Sequence, residues 1–366
     1  MDKAFEFVED DLDRLSKLGL PYCKVIVSRK HERLHVSERG TAGKGKRFFL
    51  FSCSKPITVA GTMRLVERGM IKLDDAVDEY LPSFRDVYLV KNGKKLRPET
   101  RMTVRHLFTM SSGLDYELHT EPIRRAAGVP DATTTDVVNA FPKSPLSFDP
   151  GEKYQYSLSH DVLGAIVETV TGKPFDIYLG DEVFEPLGME QTSFRYTEKE
   201  MAPQYRFDAD KKEYEHIPCG CDYILAPRYA SGGAGIISTA EDYALFADAM
   251  ACGGTAWNGY QLLKPETVKE IHTEQLTGFV RDPTFGCPIS PGYGYGLGVR
   301  TLIDRSAGQR SPIGEFGWDG AAGSFLLCDD TNGISVAFVT HVFGWTGIRP
   351  VFHGPLRDAV YESLGF

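Results

Sequence analysis

The chain has 366 residues, 42% hydrophobic and 25% charged, with 41 Lys and Arg against 50 Asp and Glu for a formal charge of −9. This is the composition of an ordinary globular protein with a sizeable core; it excludes disorder, collagen and coiled coil as the main organisation. The acidic balance argues against a nucleic-acid partner, whose binding relies on cations neutralising phosphates, while the length allows two domains or one large α/β unit.

Met1 to Leu20 carries six acids and three bases with no apolar stretch, so it does not read as a signal peptide. Phe5, Val8, Leu12 and Leu15 follow helical spacing and predict an amphipathic helix docked on the fold. Lys24–Ser28 and Leu34–Ser37 read as two strands around a charged turn, with a third run over Arg47–Phe51. From Ser54 to Met70 the pattern turns helical, with Val59, Met63, Val66 and Met70 on one face. Helical segments then dominate to about Pro227, among them Val104–Met110, Thr135–Phe141 and Asp161–Val170.

Strand chemistry returns in the last third. Gly235–Ser238 leads into a helix over Ala240–Ala251, and Tyr293, Tyr295, Leu297 and Val299 alternate as in a half-buried strand. Phe325–Cys328 and Ile334–Val339 flank an Asn332-Gly333 turn, a hairpin signal, and Val351–Leu364 reads as a final helix. The chain is therefore expected to form one catalytic unit of two lobes. Residues 1–58 and 228–366 would build a sheet lobe, and 59–227 a mostly helical one, with a cleft between them. The uncharged run Pro283 to Val299 holds five glycines and three prolines and does not read as a membrane span. The seven cysteines (23, 53, 219, 221, 252, 287 and 328) show no paired framework. Without export signal or disulfide pattern, a reducing cytoplasm is the expected compartment.

Ser52-Cys53-Ser54-Lys55 is the strongest local motif, an S-x-x-K between a strand and a helix. Residues three apart share a helix face, which brings Lys55 within reach of the Ser52 hydroxyl. Serine is a poor nucleophile until a base takes its proton, and an amine with a depressed pKa can do so. Alone, the string equally fits an N-cap serine followed by a solvated lysine. Tyr156-Ser157-Leu158 lies at the entrance of the next helix, where positive potential favours phenolate. Trp318-Asp319-Gly320, with Ala321-Ala322-Gly323 after it, reads in isolation as a glycine-rich turn before a strand. His31-Glu32-Arg33-Leu34-His35 matches the H-E-x-x-H zinc string, but between strands its histidines would stand about 13 Å apart, too far to share one ion.

Taken in order, the three triplets resemble the signature of the serine β-lactamase and penicillin-binding-protein superfamily. Phe51–Pro56, Arg105-His106-Leu107-Phe108-Thr109-Met110-Ser111-Ser112-Gly113-Leu114, Pro150-Gly151-Glu152 and Ser231-Gly232-Gly233-Ala234-Gly235 extend the likeness to its class C-like branch. The resemblance implies an α/β (α+β) fold of the β-lactamase/transpeptidase type, with an antiparallel sheet flanked by helices and a mostly helical lobe. Two departures bear on function. Leu158 replaces an asparagine whose amide would bind an acylamino group, and Trp318 replaces a lysine that would hold a carboxylate. Tyr-Ser-Leu with Trp-x-Gly is similar instead to the family VIII carboxylesterases and related acyltransferases.

The resemblance thus implies a serine hydrolase working through an acyl-enzyme on small esters. A β-lactamase, a D-amino-acid peptidase, an acyltransferase or a non-catalytic ligand-binding relative are the alternatives. Ser52 would be the nucleophile, with Lys55 and Tyr156 as proton carriers whose order is left open. The amides of Ser52 and Ala321 would hold the oxyanion. Leu158, Trp318, Asp319, Gly320 and His341 would contact the substrate, Trp318 shaping an apolar pocket and Asp319 repelling a carboxylate if it points inward. Neither a metal nor an organic cofactor is implied. The expected partner is a small ester, amide or lactam, with no nucleic acid and no membrane.

Overall fold

A computed structural model describes residues 5–277, 291–344 and 352–366. Cys287, residues 283–290 of the uncharged run, and Val351 lie outside these residues. Among the described residues no helix is long and apolar enough to cross a membrane.

The main sheet takes strands from both ends of the chain: β1 (Tyr22–Arg29), β2 (Glu32–Gly40), β3 (Tyr293–Tyr295), β4 (Arg300–Leu302), β5 (Phe316–Asp319), β6 (Phe325–Asp329) and β7 (Ile334–Val339). Among the described residues it has seven antiparallel strands in the order β2-β1-β7-β6-β5-β4-β3. Its central strands are apolar on both faces because both are covered. Val25, Val27, Val336 and Phe338 meet Val8, Leu12 and Leu15 of α1 (Glu6–Lys17) and Leu356 and Val360 of the C-terminal helix Gly354–Ser363. Ile26, Leu326 and Ala337 face the opposite core, beside α2 (Ser54–Glu67), α3 (Ser159–Thr171) and α4 (Ala240–Ala251).

Two expected elements differ. Tyr293, Tyr295, Leu297 and Val299 are all buried, yet they do not form one strand. The chain doubles back around Gly298 (φ 75°), and Arg300 pairs with Tyr295. Alternation survives a tight hairpin of this kind, so the pattern alone could not reveal the turn. The helix from Ser54 is not amphipathic either: every residue from Ser54 to Met63 is buried, while Met70 lies beyond its end and is 45% exposed. Such all-round burial marks a central core helix.

The H-E-x-x-H string spans the β1–β2 hairpin. His31 occupies the turn, and its Nδ1 lies 2.7 Å from the Asp248 carboxylate. His35, on β2, stacks on Phe5 beside Glu9.

Gly317 in β5 governs how that strand meets its neighbour. It has φ 156°, and an added Cβ would run into the Leu326 carbonyl of β6. Gly317→Ala is expected to lower stability by about 2–3 kcal/mol, read as a fall in the urea midpoint with an unchanged slope.

Candidate active site

Ser52 sits in a 3₁₀ turn, Phe51–Cys53, that runs directly into α2. Phe51 holds a positive φ of 49°, a conformation costing about 1–2 kcal/mol for a residue with a Cβ. Its ring is fixed edge-on against Tyr223 and Phe343, so local strain is balanced by packing. One turn on, Lys55 has no solvent exposure. Its amine donates to the Gly233 carbonyl at 2.7 Å and lies 3.2 Å from Ser52 Oγ. The alternative of a solvated lysine behind an N-cap serine is therefore not what the chain forms.

Tyr156 reaches the same oxygen from the loop that precedes α3. Its hydroxyl donates to Ser52 Oγ at 2.7 Å. The loop carrying it is tied down by the Arg105–Gly113 stretch: Gln155 N–H donates to the Met110 carbonyl and Gly151 N–H to the Ser111 carbonyl, both at 2.8 Å. Ser112 and Ser159 join through their hydroxyls at 2.8 Å. That stretch is scaffolding for the tyrosine.

The electrostatics follow from burial. Loss of hydration depresses the Lys55 amine to about 7, against which the nearby Asp161 carboxylate favours the charged form. Asp161 is itself pushed up by burial, with hydrogen bonds from Ser231 and Tyr229 and the lysine charge opposing that shift. The Tyr229 hydroxyl donates to it at 2.7 Å. A Cβ on Gly233 would fall 2.8 Å from Asp161 Oδ2 and 3.5 Å from Lys55 Nζ, which explains a glycine there. Lys55 Nζ also lies 4.5 Å from the Tyr156 ring centre and 5.7 Å from that of Tyr116. In the sequence Asp161 marks only a helix start, and neither Tyr116 nor Gly233 stands out as a site residue. Their role comes from contacts about 60 to 180 residues away from Lys55 in the chain, for which spacing holds no signal.

The remaining expected residues divide. The end of β5 lies against the Ser52 turn: the Cys53 thiol donates to the Trp318 carbonyl at 3.5 Å, and a Cβ on Gly320 would stand 2.5 Å from the Leu50 carbonyl oxygen. Ala321 follows there, exposed, and among the described residues no backbone carbonyl accepts its amide. Trp318, expected to shape an open pocket, is 3% exposed and instead backs Tyr156. The two rings stack at 5.9 Å, and the indole N–H donates to the Tyr156 oxygen at 3.3 Å.

Asp319 does not point inward. Strand alternation sends it to the opposite face of the sheet, where the Arg300 guanidinium donates to it at 3.1 Å. Leu158 packs into the large core that includes α2 and α3, with its amide on the Asp115 carbonyl, so it is a core residue. His341 is likewise buried, against Phe48, Phe49 and Phe51. Burial lowers it to about 4, leaving a neutral ring between the Ala202 carbonyl and the Gln204 amide.

The arrangement thus presents one hydroxyl to two proton carriers, one of them a depressed amine, which is the equipment of nucleophilic catalysis. Comparisons with known proteins agree on the lineage. Esterase EstB of Burkholderia gladioli is 31% identical over 92% of this chain and 89% of its own. The solved structure of EstCE1, a hydrolase with promiscuous acyltransferase activity, superposes with a TM-score of 0.82 at 25% identity, covering 98% of each chain. Simvastatin synthase (LovD) from Aspergillus terreus shares the fold at a TM-score of 0.80 and 18% identity, over 100% of this chain and 99% of that one. The sequence profile named Beta-lactamase matches residues 24–351, and with the S-x-x-K turn, the facing tyrosine and the seven-stranded antiparallel sheet in place, the chain belongs to the Beta-lactamase family.

Proposed function

We propose that this protein hydrolyses small neutral carboxylic esters through an acyl-Ser52 intermediate. The observation that carries the reading is the fully buried Lys55 amine, depressed to about 7, at 3.2 Å from a serine hydroxyl that also accepts from Tyr156. Ser52 Oγ attacks the ester carbonyl while Lys55 and Tyr156 carry the protons. Tyr156 protonates the departing alcohol and later activates water. The amides of Ser52 and Ala321 are the donors assigned to the developing oxyanion, each such donor contributing about 2.7–4 kcal/mol to the transition state.

Ester selectivity is supported by what stands where a lysine would bind a carboxylate. Trp318 offers a neutral donor already engaged with Tyr156, and Asp319 is directed away to Arg300. An anionic β-lactam would lack its cation at this position. Two relatives point the same way, EstB being named an esterase and EstCE1 a hydrolase.

A fluorophosphonate probe should add one adduct to the wild type by intact mass and none to Ser52→Ala; equal labelling of both would remove Ser52 as nucleophile. Hydrolysis of p-nitrophenyl butyrate should exceed that of nitrocefin, and the reverse order would favour a β-lactamase. Lys55 acts as a base only when neutral, so kcat/KM should rise with pH through about 7 and then level off. Asp161 favours the charged amine. Asp161→Asn should therefore move the acid limb to lower pH, checked by the same pH–rate profile.

A further inference from the structure

We propose that His31, Asp248 and Cys252 form a binding site for one zinc-type divalent ion, tying the turn of the β1–β2 hairpin to the C-terminal end of α4. The site shares no residue with the Ser52 centre and does not rest on the ester reading.

The three side chains come from two segments. Asp248 lies in the last turn of α4, and Cys252, four residues on, is its C-cap. That spacing puts both on one face of the helix. His31 is brought to them by the hairpin, whose two loop residues, Lys30 and His31, hold positive φ angles of 50° and 69°. Two-residue loops of this kind favour Asn-Gly, so a lysine and a histidine are held there against local preference. One imidazole nitrogen, one carboxylate oxygen and the Cys252 sulfur all lie within 4.8 Å of one another. Within that set His31 Nδ1 is 2.7 Å from Asp248 Oδ2, and Cys252 Sγ is 3.8 Å from Asp248 Oδ1. Ligands of a tetrahedral zinc ion, bound at about 2.0–2.3 Å, stand about 3.3–3.8 Å apart, and the observed separations bracket that spacing.

The donor set selects the ion. Nitrogen, oxygen and sulfur together suit a borderline-soft cation such as zinc, whereas calcium and magnesium take oxygen. The His31 amide N–H donates to Asp248 Oδ1 at 3.1 Å, an outer support of the kind that orients metal ligands. Asp248 is buried, while the His31 side chain is 33% exposed, which gives an ion access and lets a water complete four ligands. The carbonyl end of a helix also favours positive charge. Binding replaces the Cys252 sulfur–hydrogen bond with a sulfur–metal bond and releases that proton to solvent. The imidazole binds neutral through Nδ1 and keeps its proton on Nε2. With one carboxylate and one thiolate, a divalent ion leaves the trio without net charge. The H-E-x-x-H string therefore contains one ligand, whose partner on α4 is 217 residues away, while His35 stacks on Phe5.

The test uses the full chain, stripped with EDTA and then titrated with Co2+ and Zn2+. Wild type should take up one equivalent of Co2+ with a thiolate-to-cobalt charge-transfer band, which Zn2+ displaces. Cys252→Ser should lose the band. His31→Gln should bind at least about tenfold more weakly, since changes to the mere supports of metal ligands already cost that much. The double variant Cys219→Ser, Cys221→Ser, which removes the most closely spaced thiols, should keep the band. Zn2+ at about a hundred times its Kd should raise the wild-type Tm by about 3 °C and leave that of Cys252→Ser unmoved. No band in wild type, a band that persists in Cys252→Ser, or a Kd in the millimolar range would overturn the proposal. The wild-type titration decides it even where a variant fails to fold, which far-ultraviolet circular dichroism reveals.

Discussion

The burial of one ammonium-forming group organises this protein. Removing a lysine amine from water disfavours its charge, and proteins either pair such a group or let it become neutral. At Lys55 both happen in part: Asp161 supplies opposite charge, the Gly233 carbonyl accepts a hydrogen bond, and the faces of Tyr156 and Tyr116 lie close by. The balance leaves the amine depressed to about 7, beside the serine one turn back. The burial of α2 from Ser54 to Met63 supplies that desolvation, and glycine at position 233 leaves room for the amine and for Asp161.

A second constraint is the alternation of a β-strand. Because β5 is buried on both faces, adjacent residues serve different purposes. Trp318 faces Tyr156 and adds a donor without adding charge. Asp319, on the other face, joins Arg300, which also meets Glu315 in a buried network. Breaking such a buried pair from one side typically costs about 3–5 kcal/mol, so Asp319 contributes to the sheet's integrity. The close approach of β5 and β6 at Gly317 couples this network to the placing of Trp318.

Much of the fold is legible in the sequence because its signals are local. The periods of α1, α3 and α4, the Asn332-Gly333 hairpin and the strand–turn–helix around Ser52 all follow from spacing. The hairpin at Gly298 is not legible, since both of its arms carry the alternating apolar residues of a single strand. The full burial of α2 is hidden because Thr58 and Thr62 look like a polar face. Inside the fold their hydroxyls donate to backbone carbonyls of Gly232 and Thr58.

By itself the sequence singled out the residues that the fold gathers around Ser52. Ser52 and Lys55 lie three apart on one turn, and the order of Tyr156 and Trp318 after them marks the lineage; covalent spacing and residue type are sufficient for that. Tertiary structure decided what each one faces. It neutralised Lys55 through burial, brought Asp161 and Tyr116 to it, and turned Leu158, Asp319 and His341 away from the serine. It also set Trp318 behind Tyr156 as a hydrogen-bond donor. These are matters of desolvation and of contacts between distant segments, which exist only once the chain has closed upon itself.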